Sequence, residues 1–159
     1  MRPLAILLLL AACRPGERAA DTPGAALERA AIARGLVSDP KAGSLTGSWA
    51  SEADRLCVVP AGGSTRIGVS IDYGDGQGCA AKGSVERDGE SLAIAFGECR
   101  VQATFDGERI VFPAALPAAC DRVCTGRASL SALTVERLSE SASEASTLRS
   151  ARGELLCGN

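Results

Sequence analysis

From Leu45 to Leu138 the chain alternates apolar and polar residues at period two, and short clusters of turn residues interrupt the alternation. Period two puts every second side chain on one face of a strand, so this stretch folds as β-sheet with one face turned to a core. Arg66–Asp72 is the clearest case, with Ile67, Val69 and Ile71 on one side. Leu45–Ala50, Arg55–Val59, Cys79–Arg87, Ser91–Phe96, Arg100–Phe105 and Arg109–Phe112 repeat the pattern, and Ala128–Leu138 reads as a last long strand. Between them lie Pro60 with Gly62-Gly63, a glycine-rich turn over Tyr73–Gly78, and the pairs Asp88-Gly89 and Asp106-Gly107. Asp-Gly is a strong two-residue hairpin signal, because both residues tolerate a left-handed backbone. Only Pro113–Thr125 reads as a long loop.

About eight strands joined by tight turns cannot be parallel, since parallel neighbours need long crossovers. The expected fold is all-β and mainly antiparallel. An eight-stranded up-and-down barrel removes every exposed edge; a β-sandwich is the alternative. Short helices flank it. Thr22 and Pro23 suit the start of a helix over about Pro23–Arg34, where Leu27, Ile32 and Leu36 share a stripe that packs on the domain. Near the end, Ser141 and Glu144 have capping-box spacing ahead of a second helix over Ala142–Arg149.

The N-terminus differs from all of this. A basic start at Arg2, an apolar run from Leu4 to Leu10 and small residues after it make a secretory signal. The run is much shorter than the ~20 residues a membrane-spanning helix needs. It closes with Leu10-Ala11-Ala12-Cys13, which resembles the lipobox of bacterial lipoproteins. That resemblance implies cleavage before Cys13, acylation of Cys13 and a mature chain held outside the cytoplasm by its lipid. Arg14, rather than aspartate, follows the cysteine. By the sorting rule of Gram-negative lipoproteins this implies the outer membrane, facing the periplasm. The expected layout is a signal peptide over residues 1–12, a polar tether over 13–21 and a single β-barrel-like domain over 22–159.

Export makes the cysteines legible as disulfides. The chain has seven, and setting Cys13 aside leaves Cys57, Cys79, Cys99, Cys120, Cys124 and Cys157. If Asp88-Gly89 is the hairpin turn, Cys79 faces Glu98, and a one-residue bulge at Gly97 brings Cys99 opposite it. Register therefore favours Cys79–Cys99. Cys120 and Cys124 can then bridge each other within their loop, and Cys57–Cys157 pins the C-terminus to the barrel.

Composition narrows the chemistry. There is no histidine, so the commonest general base and metal ligand is missing. No glycine-flanked serine elbow or phosphate loop appears. Asp72-Tyr73-Gly74-Asp75-Gly76 has two carboxylates and glycines but lacks the closing glutamate of a calcium loop. Neither catalytic residues, nor a metal, nor a cofactor is expected. The net charge is −2 and the charges are mixed, with no basic stripe to hold nucleic acid.

Gly47-Ser48-Trp49 resembles the Gly-x-Trp opening of lipocalin-like, calycin-type barrels, among them bacterial protease inhibitors. The resemblance implies that Trp49 closes the barrel floor under an arginine from a late strand, either Arg127 or Arg137, through a cation–π contact. Six cysteines are more than such inhibitors carry, and their protease-contacting N-terminal segment has no counterpart here. The functional expectation is a non-enzymatic binding or inhibitor module, anchored to the membrane and facing an envelope protein or a secreted hydrolase. The alternative is a small-ligand carrier: inward positions such as Ala81, Gly83 and Ala103 are small and can leave room for a ligand.

Overall fold

The computed structural model describes residues 23–37, 39 and 42–158. The signal, the lipobox with Cys13, the tether and Thr22 lie outside the described residues. The chain divides into two compact units at Val37/Ser38. In the first, α1 spans Pro23–Ala33 and has no buried residue. Along its stripe Leu27 is 73% exposed and Ile32 is partly buried.

The second unit holds nine strands: β1 (Gly47–Ser51), β2 (Asp54–Ala61), β3 (Ser64–Asp72), β4 (Gly78–Asp88), β5 (Ser91–Phe96), β6 (Cys99–Phe105), β7 (Arg109–Val111), β8 (Cys124–Thr125) and β9 (Thr134–Ser139). The seven strands β1 to β7 each pair with the next in sequence, and β9 pairs with both β7 and β1. Eight strands thus close into an antiparallel up-and-down barrel, and no strand of the ring lacks a partner. The alternation seen in the sequence is the reason. In β6, Cys99, Val101, Ala103 and Phe105 are buried while Arg100, Gln102 and Thr104 are exposed.

Inward side chains from all eight ring strands form one contiguous core, among them Trp49, Leu56, Ile67, Val85, Leu92, Val101, Ile110 and Val135. A second, smaller cluster lies outside the barrel wall. Cys57 and Val59 point outward from β2 and are covered by Ala145 of α2 (Ala142–Ser146), with Leu156 and Cys157 of the tail. Ser141 caps α2 by accepting from the Glu144 N–H. Gly68 of β3 lets the tail lie this close, because a Cβ there would stand 2.7 Å from the Leu156 carbonyl oxygen.

Three disulfides join Cys57 to Cys157, Cys79 to Cys124 and Cys99 to Cys120. The first is the expected pair; the other two correct Cys79–Cys99 and Cys120–Cys124. The cause is register. Asp88 pairs with Ser91, so the two-residue turn is Gly89-Glu90 and not Asp88-Gly89. Gly97-Glu98 is itself a hairpin turn, with Phe96 opposite Cys99. Cys99 therefore opens β6, two strands round from Cys79 on β4. Beyond the end of β5, β4 still has a free edge, and β8 fills it with Cys124 directly opposite Cys79. The last strand is also shorter than expected. Ala132 takes a left-handed backbone (φ 56°), and Leu130 and Leu133 are both buried at a spacing of three. Residues 126–133 are thus a folded loop, and β9 begins only at Thr134.

Candidate functional site

The two ends of the barrel are built differently. At one end the chain enters through Gly43–Thr46 and the hairpin turns after β2, β4 and β6 cluster. Trp49 is fully buried there, and its indole N–H donates to the Leu45 carbonyl at 3.3 Å. The Phe105 ring meets it edge-on, with centroids 5.6 Å apart. The Arg137 guanidinium lies 4.2 Å from the Trp49 centroid, and Arg87 lies 4.5 Å from that of Phe105. Both cations also close the rim by donating to backbone: Arg137 to Ser44 and Gly107 carbonyls at 2.6 and 2.7 Å, Arg87 to the carbonyls of Gly43 and Gly89. Arg137 Nη1, 3.5 Å from Glu140 Oε1, makes no hydrogen bond. Of the two arginines the sequence offered for this floor, Arg137 takes the place. Arg127 is exposed in the loop at the other end, where its own N–H donates to the Gln77 side chain. The reason is again the late start of β9, which leaves Arg127 outside the sheet. Arg87 was not foreseen, although its inward position next to Val85 follows from the alternation of β4.

Next to this floor, Asp106 turns the chain from β6 to β7. Burial alone would raise its pKa, but the N–H groups of Glu108 and Arg109 and the Arg109 guanidinium donate to it and hold the carboxyl below its usual range.

At the opposite end, the connection from β7 to β9 folds across the opening. Leu116, Leu130 and Leu133 join the core from it. A 3₁₀ turn over Ala118–Val123 buries Cys120 against Cys99, and β8 follows with Cys124 on Cys79. Thr125 Oγ1 donates to Gly76 O at 2.8 Å and accepts from the Gly78 N–H at 3.2 Å, which ties the loop to the β3–β4 turn. Within that turn Asp72 Oδ1 accepts from the Gly74 N–H at 2.9 Å, and Tyr73 and Gln77 bond through their backbones. The carboxylate thought of for calcium thus serves its own turn. Tyr73 stands at the tip, 60% exposed. On the neighbouring β1–β2 turn, burial and then the nearby Glu52 raise the pKa of Asp54.

Two of the small inward residues sit against close neighbours. A Cβ on Gly83 would lie 1.8 Å from the Ala95 carbonyl oxygen, so this glycine admits the β5 backbone where it crosses β4. Ala103 is 2% exposed within the packed core. Depressions also lie on the outer surface of the described residues. One, of about 830 Å³, runs between the β2–β3 hairpin and α2, past Arg66 and Ser146. The other, of about 290 Å³, lies over Ala93 and Ala95 between Glu86 and Arg100. No protein-family model, curated protein or solved structure matches the chain.

Proposed function

We propose that this protein is a lipid-anchored binding module of the bacterial cell envelope, non-enzymatic, and acting through its surface on an envelope protein or a secreted hydrolase. Its anchor in this reading is an acylated Cys13, and its place is the outer membrane, facing the periplasm. The lipobox-like Leu10–Cys13 and the cysteine-rich barrel support export. One observation carries the choice of a surface binder over a carrier. Core side chains fill the barrel, and each end is closed, by Trp49 and Arg137 on one side and by a stapled loop on the other. Ligand chambers in barrels are lined, open and several hundred cubic ångströms in volume. The contact surface in this reading is the stapled end. Its loops are held by bonds and bridges, so they lose little freedom on binding, and Tyr73 offers the kind of aromatic anchor that interfaces favour.

A photo-crosslinking residue placed at position 73 tests the surface, and the same residue at Leu138 on the outer wall serves as the control. Adducts with an envelope or secreted protein at 73 and not at 138 support it; equal or absent adducts overturn it. For the anchor, Cys13→Ala followed by fractionation is decisive. The parent should sediment with membranes and the variant should not.

A further inference from the structure

We infer that Cys79–Cys124 is a thiol–disulfide exchange site, attacked at the Cys124 sulfur by the thiolate of a dithiol reductant. Five of the six bridged cysteines are buried to 2% exposure or less: Cys57, Cys79, Cys99, Cys120 and Cys157. Cys124 alone is half-buried, at the margin of the core. Exchange needs a nucleophile to reach a sulfur, so accessibility ranks the three bridges before any other factor.

The second observation is how short the strand of Cys124 is. Its strand, β8, pairs with β4 at two positions only, Gly78↔Thr125 and Cys79↔Cys124. The next residues, Gly126 and Arg127, are exposed. A two-residue edge strand opens at lower cost than the barrel once the bridge that holds it is cut. The other bridges have no such weak point. Cys57–Cys157 joins β2 to the tail with both residues 1% exposed or less, beside the outer depression, and Cys99 and Cys120 are both within the core.

The step balances without an outside oxidant. A thiolate of the dithiol bonds to Cys124 Sγ, the Cys79–Cys124 bond breaks, and Cys79 leaves as a thiolate that takes a proton. The second thiolate of the dithiol then displaces Cys124. The products are two cysteine thiols and the oxidised dithiol. Cys99–Cys120 still holds the 3₁₀ turn, so the exchange frees β8 and its ties to Gly76, Gly78 and Gln77 without releasing the whole loop. The turn that carries Tyr73 loses its neighbour, and the surface of this end changes with the oxidation state of one bridge.

Timed treatment of the oxidised full chain with dithiothreitol, quenched with N-ethylmaleimide and mapped by peptide mass, tests the assignment. Cys79 and Cys124 should be labelled together, roughly tenfold faster than the other four. Labelling of Cys57–Cys157 or Cys99–Cys120 first, or of all six at one rate, overturns it. Glutathione, a monothiol, should leave its adduct on Cys124; an adduct on Cys79 overturns the direction of attack. In a Cys79→Ala, Cys124→Ala variant the remaining four cysteines should resist dithiothreitol as they do in the parent. Their labelling at the rate of the parent's first pair would show that the bridge is no separable latch.

Discussion

The barrel is shut at both ends, by opposite means. At the Trp49 end every closing group sits on a strand or an adjoining turn: Trp49 on β1, Arg87 on β4, Phe105 on β6, Arg137 on β9. Pairing the strands brings these groups together, and the closure adds little ordering cost of its own. At the Tyr73 end the closing element is a connection between Val111 and Thr134 whose regular structure is one 3₁₀ turn and a two-residue strand. Such a segment cannot repay the entropy of ordering it through backbone pairing alone. Two disulfides supply the difference by restricting the unfolded chain. A closure written into strands therefore needs no covalent help, whereas a closure written into a loop does.

Removing both staples at once should be the most damaging change. Loop-closure entropy gives about 4 kcal/mol for the bridge spanning 45 residues. The one spanning 21 adds about 3 kcal/mol. A urea midpoint measured on the fourfold cysteine-to-alanine variant reads the sum, and a smaller loss than that of the tryptophan variant below would break the comparison. Trp49→Ala comes next. It removes a fully buried side chain together with its ring and cation contacts, for about 3–5 kcal/mol. The contrast sharpens when every bridge is first reduced in denaturant and refolding is followed in reductant: the tryptophan penalty should persist there, while the staple penalty should vanish because the parent has lost its bridges too.

Arg137→Met keeps the aliphatic stem but leaves two rim carbonyls without their donor, and should cost about 2–3 kcal/mol. Arg127→Met, at the other end, should leave the midpoint unmoved; equal effects would mean the floor has been misassigned. The smallest effect belongs to Asp106. A carboxyl whose folded pKa is depressed adds stability above its unfolded pKa and loses it as pH falls through the folded one. Asp106→Asn should thus be mildly destabilising at neutral pH, and the gap from the parent should close as the solution becomes more acid than the usual carboxylate range.

Strand order, the sense of alternation and the tryptophan floor were readable because they depend on local periodicity and on one large side chain that has nowhere else to go. Cys57–Cys157 was reached only as the remainder after two pairings that the structure corrects. The other two bridges were not, because they depend on a register difference of one residue at Gly89-Glu90 and on a long β4 that outlasts its partner. Nor does spacing four make Cys120 and Cys124 partners. The first points into the core from a 3₁₀ turn, and the second has already entered an extended strand. The alternation in Ala128–Leu133 misled for a related reason: a left-handed Ala132 turns a strand-like pattern into a loop. Tyr73 carried no signal beyond its place in a glycine-rich turn.

The bridge between Cys57 and Cys157 sets a problem of timing. Cys57 is the first of the six to leave a ribosome or a translocation channel, and Cys157 is the last. Four other sulfhydryls pass by while its partner is still unmade, and any of them can capture it. Premature capture has to be undone before the tail can settle over Gly68, and pairing of β2 with β3 does not hide the Cys57 thiol, because its cover comes from α2 and the tail, the last parts of the fold to be made.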